Sequence, residues 1–169
     1  MVNQVLHHLE DDPERGYPAH RQTVRELARV LRPGGVLTIN TCSQAQMRDA
    51  FWATSLIPEA RRAAMARRIM PLDDVATAMA EAGLEVRGRF VPVDALMQGR
   101  DYLDPRGPLR PEWRAGDSIW ALLDPAELAA IEAQLRELDR RGALERYVAE
   151  HDARRPLIGQ VTILYGIRR

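Results

Sequence analysis

Apolar and polar positions change period several times along the chain, and each change predicts an element. The first run, Val2 to Leu6, is short and bounded by polar residues, which predicts a buried strand. His7 to His20 holds Asp11, Asp12, Pro13, Gly16 and Pro18 and reads as a loop. From Ala19 the period lengthens. Val24, Leu27, Ala28 and Leu31 take the i, i+3, i+4, i+7 positions of a helix, with Arg21, Arg25, Arg29 and Arg32 opposite them. Pro33-Gly34-Gly35 stops that helix, and Gly35 to Thr41 alternates with β-branched residues as a second strand. Ser43 to Met70 predicts helix in two pieces parted near Pro58. Pro71 opens another helix that ends at Gly83, and Leu84 to Val93 alternates as a third strand. Gln98 to Pro111 is rich in proline and glycine and predicts a long loop. Asp124 suits a helix N-cap, with Pro125 behind it and Glu127 close by. That helix is expected to reach about Arg141, a second to cover Leu144 to Arg154, and Ile158 to Gly166 to form a last apolar strand.

Strands alternating with helices in this order predict an α/β domain with a largely parallel sheet. The chain has 169 residues and a mass of 19.1 kDa, enough for one domain with a core. Its 24 basic and 24 acidic residues balance, so the basic footprint expected of a nucleic-acid binder is missing. Cys42 is the single cysteine, which rules out an internal disulfide and suits a reducing, cytoplasmic setting. No apolar run is long enough for a membrane span.

Certain residues carry a family likeness. VNQVLHHLED, then a helix ending in LARVLRPGG, then the strand VLTIN, resembles the second half of a class I S-adenosylmethionine-dependent methyltransferase. PLDDVATAMAEAGLEV looks like the helix and strand that follow. IGQVTILYGIRR looks like the closing strand, which in that family runs antiparallel between the fifth and sixth. The resemblance implies a partial Rossmann-like sheet made of the fourth to seventh strands, with flanking and inserted helices, across a single domain spanning 1–169. The glycine-rich turn and the ribose-binding acid of the family's first half have no counterpart in these residues. Three missing strand–helix units would amount to about 90 residues, so Met1 is expected to fall inside the fourth strand of a longer, truncated parent. Val2 to Leu6 would then be an exposed apolar edge, open to self-association or to a complementary chain.

His7 and His8 sit where the first strand gives way to its loop, the edge at which open α/β sheets bind ligands. Either imidazole there could serve as a general base or orient a nucleophile; equally, the pair could only finish the strand. Adjacent strand residues face opposite ways and cannot easily share an ion, so no metal site is expected. Glu10, Asp11 and Asp12 read as a solvated loop, Cys42 as a small buried hydrophobe, and Arg61, Arg62, Arg67 and Arg68 as a basic helix face.

The resemblance implies S-adenosyl-L-methionine as cofactor, with Asn3, Gln4 and Val5 beside its methionine end. It also implies that Phe51, Trp52, Trp113 and Trp120 lie where the family builds its acceptor pocket, although aromatics there could simply pack helices on the sheet. Two functions follow as expectations. One is methyl transfer to a small-molecule acceptor by the full-length parent. The other is a non-catalytic half-domain subunit that completes its sheet with another chain.

Overall fold

A computed structural model describes residues 1–9 and 11–169; Glu10 lies outside the described residues. The chain runs β1 (Val2–Asn3), α1 (Pro18–Arg29), β2 (Val36–Thr41), α2 (Gln44–Asp49), α3 (Glu59–Arg67), α4 (Leu72–Glu81), β3 (Leu84–Phe90), α5 (Pro111–Arg114), α6 (Pro125–Arg140), α7 (Leu144–Asp152), α8 (Arg155–Ile158) and β4 (Thr162–Arg168). It divides into two compact units. The first holds residues 1–44, 66–92 and 161–169; the second holds 45–65 and 93–160.

The first unit is built on a mixed four-stranded sheet in the order β1-β2-β4-β3. β1 runs parallel to β2, with Val2 opposite Ile39 and Asn3 opposite Asn40. β4 runs antiparallel to both neighbours, pairing Val36 with Ile167 on one side and Leu84 with Arg168 on the other. The last strand therefore closes the sheet from within, where an antiparallel closing strand was expected.

Alternation along β2 explains which face is covered. Leu37 and Ile39 are buried, whereas Val36 is half-exposed. The buried face joins Leu164 of β4 to Val24 and Ala28 of α1 and to Val75, Ala78 and Met79 of α4 in one apolar core. Each valine, leucine and methionine among them contributes on the order of 1.5–3 kcal/mol by leaving water.

The Pro-Gly-Gly stop ties this core to the last strand. Gly34 has a left-handed φ of 79°, and a Cβ on Gly35 would come within 2.8 Å of the Arg32 carbonyl oxygen, so only glycine fits the turn. Gly34 N donates to Arg168 O at 2.8 Å, and Arg168 N donates to Gly35 O at 2.8 Å. The Arg168 guanidinium then reaches the carbonyls of Ala28, Arg29 and Leu31. A cation at those carbonyls both caps the end of α1 and answers its negative dipole end.

Three expected strands are shorter than their sequence pattern: the third ends at Phe90 instead of Val93, where Pro92 cannot donate to the ladder. The first strand stops at Asn3, because Gln4 takes a left-handed φ of 51° and Leu6–His8 winds into a 3-10 turn. The final strand starts at Thr162 instead of Ile158, because Pro156 opens no strand and α8 precedes it. The long loop after Gln98 contains two 3-10 turns, over Gly99–Leu103 and Gly107–Leu109.

The second unit is helical. Asp124 caps α6 in a complete capping box: its carboxylate accepts from Glu127 N, and Glu127 accepts from Asp124 N, each at 2.9 Å. The core centres on Trp52, Trp113 and Trp120, whose ring centroids follow one another at 6.4 and 5.9 Å. Trp52 Nε1 donates to Tyr102 O, and Trp113 Nε1 donates to Asp101 O, both at 2.8 Å. Among the described residues no helix is long and apolar enough to cross a membrane.

Gly107 is the tightest point of this packing, since a Cβ there would fall 2.4 Å from Trp113 Nε1. Gly107→Ala is therefore expected to lower stability by about 1–3 kcal/mol through overpacking. Urea unfolding followed by tryptophan fluorescence measures it, and an unchanged midpoint would show that Trp113 can move aside freely.

Candidate functional site

The C-terminal ends of the two parallel strands carry the polar residues of the first unit. Asparagine is depleted in strands, yet Asn3 and Asn40 occupy paired positions of β1 and β2. Asn40 Nδ2 donates to Asn3 Oδ1 at 2.7 Å, and Gln4 Nε2 donates to Asn40 Oδ1 at 3.2 Å. Gln4 N also donates to Asn40 O at 2.9 Å. A left-handed residue other than glycine costs about 1–2 kcal/mol, so the contacts at Gln4 hold a strained backbone in place. Strain of this kind gathers at ligand-binding positions. Asn3 and Val5 are exposed and Gln4 is half-buried.

The chain then turns through Leu6–His8. Leu6 is buried, His7 half-buried and His8 exposed. The histidines were expected on opposite faces of a strand. In the 3-10 turn they lie side by side instead, with ring centroids 4.2 Å apart and planes inclined by 41°. Burial first, and then the positive charges of His8, Arg68 and His20, push His7 down from 6.5 to about 4. His7 is therefore neutral near pH 7 and a weak proton acceptor. It is better suited to orienting a hydroxyl or amine by hydrogen bonding than to removing its proton.

Of the acidic residues expected in a solvated loop, Asp11 and Asp12 are described, and Asp11 is enclosed instead. Asp11 is buried against the start of α1, and its carboxylate accepts from Asp12 N, Ala19 N and His20 N at 2.9, 3.1 and 2.7 Å. His20 Nδ1 lies 2.6 Å from Asp11 Oδ2, and both side chains are almost fully enclosed. Burial by itself would raise the Asp11 carboxyl, but these hydrogen bonds outweigh it and hold it below the ordinary carboxylate range. Asp11 therefore anchors its own segment to the first turn of α1. Asp12 caps the 3-10 turn at Pro13–Arg15 by accepting from Glu14 N.

Tyr17, edge-on to His20 with centroids 5.3 Å apart, places its hydroxyl 3.2 Å from the carbonyls of Arg67 and Ile69. Cys42 is buried beyond the end of β2. Three of the four arginines read as a basic face are paired with acids: Arg61 with Glu127, Arg62 with Glu59 and Arg67 with Glu14.

In the second unit the four aromatics divide by accessibility. Trp52, Trp113 and Trp120 are buried, whereas Phe51 is half-exposed and meets Tyr102 edge-on at 6.4 Å. The Tyr102 hydroxyl accepts from Trp52 N at 3.0 Å and donates to Asp152. Arg155 grips that carboxylate through Nε at 2.9 and 3.0 Å. Burial and the Asp152 carboxylate raise the Tyr102 hydroxyl above its ordinary range, which keeps it protonated as a donor.

The strand-end pair and the histidine turn are thus brought together in one unit, while the aromatic set belongs to the other. Sequence reasoning missed Asn40 and the Asp11–His20 pair. An asparagine inside Val-Leu-Thr-Ile was a visible signal. The other was not, because Asp11 caps a helix that begins seven residues later.

No protein-family model and no curated protein sequence matches the chain. Among solved structures it superposes on a protein from Anabaena variabilis ATCC 29413, provisionally assigned as a methyltransferase from an antibiotic biosynthesis pathway. The TM-score is 0.66 at 20% sequence identity, covering 86% of this chain and 60% of that one. The fold is methyltransferase-like, and the chain spans 60% of the length of the structure it matches.

The shifted His7 predicts a pH dependence of stability. Its folded value lies below 6.5, so between pH 6.5 and 4 the unfolded chain takes up a proton that the folded chain refuses. Stability is fully present above that window and is lost as pH falls through it. Asp11 adds a loss in the same direction at lower pH, below its ordinary range. Urea unfolding at pH 7.5 and 5 is expected to show the drop, and His7→Gln to reduce it. An equal drop in the variant would assign it to other groups.

Proposed function

We propose that the chain is part of a class I S-adenosylmethionine-dependent methyltransferase domain that methylates a small-molecule acceptor. The observation that carries this reading is the order β1-β2-β4-β3 with β4 antiparallel to both neighbours. It corresponds to the fourth, fifth, seventh and sixth strands of that family's Rossmann-like sheet, and the superposition on a methyltransferase-like fold agrees with it. The residues at the strand ends fit a polar ligand: Asn3 and Val5 are exposed, and strained Gln4 is fixed by Asn40. Asn3, Gln4 and Val5 would lie beside the methionine end of S-adenosyl-L-methionine, which when bound supplies a methyl group on an electrophilic sulfonium.

Methyl transfer from such a donor asks the protein chiefly for positioning. Neutral His7 orients the acceptor, and exposed His8 exchanges the proton of an acceptor that must lose one. The aromatic set that the resemblance assigns to acceptor binding, Phe51, Trp52, Trp113 and Trp120, belongs to the second unit, where Phe51 is its accessible member. The balanced charge of 24 basic and 24 acidic residues favours a small molecule over nucleic acid, and the same chemistry suits a cytoplasmic protein. A second reading rests on β1, which ends the sheet. Its free edge would pair with another chain, making the protein a non-catalytic half of a composite sheet.

Calorimetric titration with S-adenosylhomocysteine, paired with a tritiated methyl-transfer assay on small hydroxyl and amine acceptors, tests the first reading. Binding together with transfer that falls in the His8→Ala variant is expected. Absence of binding would overturn it. A monodisperse monomer at micromolar concentration would remove the second.

A further inference from the structure

Two consecutive arginines at the end of α3 have opposite fates. Arg67 is paired with Glu14, whereas Arg68 is exposed and has no acidic partner among the described residues. The described acids that follow the histidine turn are engaged elsewhere: Asp11 with His20, Asp12 with the Glu14 amide and Glu14 with Arg67. The backbone around Arg68 is nevertheless pinned. The Tyr17 hydroxyl lies 3.2 Å from the carbonyls of both Arg67 and Ile69, and Gln44 Nε2 donates to Ile69 O at 3.1 Å. Tyr17 stands edge-on to His20 at the start of α1, and Gln44 opens α2 just past the end of β2. Ile69 and Met70 are buried. Arg68 is therefore held at the same edge of the sheet as the histidine turn, where its charge acts on His7.

We propose that Arg68 binds the carboxylate of the methyl acceptor, so that the acceptor is a small monoanionic acid whose nucleophile is presented to His7 and His8. The proposal rests on the methyltransferase reading. A guanidinium is permanently charged, and its planar fork matches a carboxylate through two parallel hydrogen bonds. His7 is neutral near pH 7, so Arg68 supplies the permanent charge at this edge. It balances one negative charge, which favours a carboxylate over a phosphate dianion. The fixed backbone limits the spread of positions from which the guanidinium can reach the acceptor, and that is what positioning for methyl transfer requires.

The test adds 4-hydroxybenzoate or 4-hydroxybenzamide to the protein without a methyl donor and follows the imidazole signals of His7 and His8 by nuclear magnetic resonance. The acid is expected to bind about tenfold more tightly than the amide and to raise the pH at which His7 titrates, because a bound carboxylate offsets the charge of Arg68. Arg68→Gln is expected to weaken the acid about tenfold or more, the cost of losing a charge-assisted pair of hydrogen bonds. It is expected to leave the amide, S-adenosylhomocysteine binding and the melting temperature unchanged, since the side chain has no acidic partner to lose. Arg67→Gln, which loses the exposed pair with Glu14, is expected to bind the acid as before. Equal binding of acid and amide, binding of neither, or the same loss in both variants would overturn the anionic acceptor while leaving the methyltransferase reading in place. Weaker S-adenosylhomocysteine binding in Arg68→Gln would overturn it too, by assigning the guanidinium to the donor. Failure of the unaltered protein to bind S-adenosylhomocysteine would overturn the methyltransferase reading, and the acceptor role with it.

Discussion

Strands β2 and β3 do not touch each other, and the ladder of backbone hydrogen bonds that joins them runs through β4. Residues Ile163 to Ile167 of β4 pair with both neighbours, so this strand lies inside the sheet. An unpaired buried N–H or C=O costs about as much as a lost hydrogen bond, so this insertion is what joins β2 and β3 into one sheet. Leu164 places its side chain under α1 and α4 only because β4 is held at that register. The Arg168 guanidinium reaches the end of α1 for the same reason. The tight Gly34–Gly35 turn, bonded to Arg168 through two 2.8 Å hydrogen bonds, fixes where β2 begins and hence where its other end presents Asn40.

From that frame follow the features with chemical interest, all of them polar groups enclosed or strained at the end of the parallel pair. Asp11 ties the segment before α1 to that helix through three hydrogen bonds from Ala19 and His20. Such a group is costly to leave unpaired in a low-dielectric surrounding and strong when fully satisfied. In the 3-10 turn at Leu6–His8, burial and nearby positive charge keep His7 neutral. The methyl-transfer reading needs that kind of site, one that positions rather than reacts. The second unit supplies a different resource: a packed column of three tryptophans, held by the Tyr102–Asp152–Arg155 network, with Phe51 left at the accessible side.

Much of this was legible in the residues. The period of Val24, Leu27, Ala28 and Leu31, the Pro-Gly-Gly stop and the Asp124 cap each reflect local physics, and each element formed there. The strand likeness extended further, to the antiparallel closing strand. What could not be read was set by tertiary contact. Val2 to Leu6 has the composition of one strand, but Gln4 is bent into a left-handed conformation by bonds to Asn40, thirty-six positions away, and the histidines leave the strand with it. Asp11 looks like loop acidity because its partners, Ala19 and His20, stand eight and nine residues on. Arg61 and Arg67 look like a basic face because Glu127 and Glu14 are distant in sequence.

The central claim is that ligand recognition in the first unit occurs at the ends of β1 and β2. A crystal structure of the protein with S-adenosylhomocysteine locates the ligand directly. The account predicts density for the amino-acid end within hydrogen-bonding distance of Asn3 and Gln4, with the Asn40 amide still bridging them. Density elsewhere on the chain, with the strand ends bare, would contradict it.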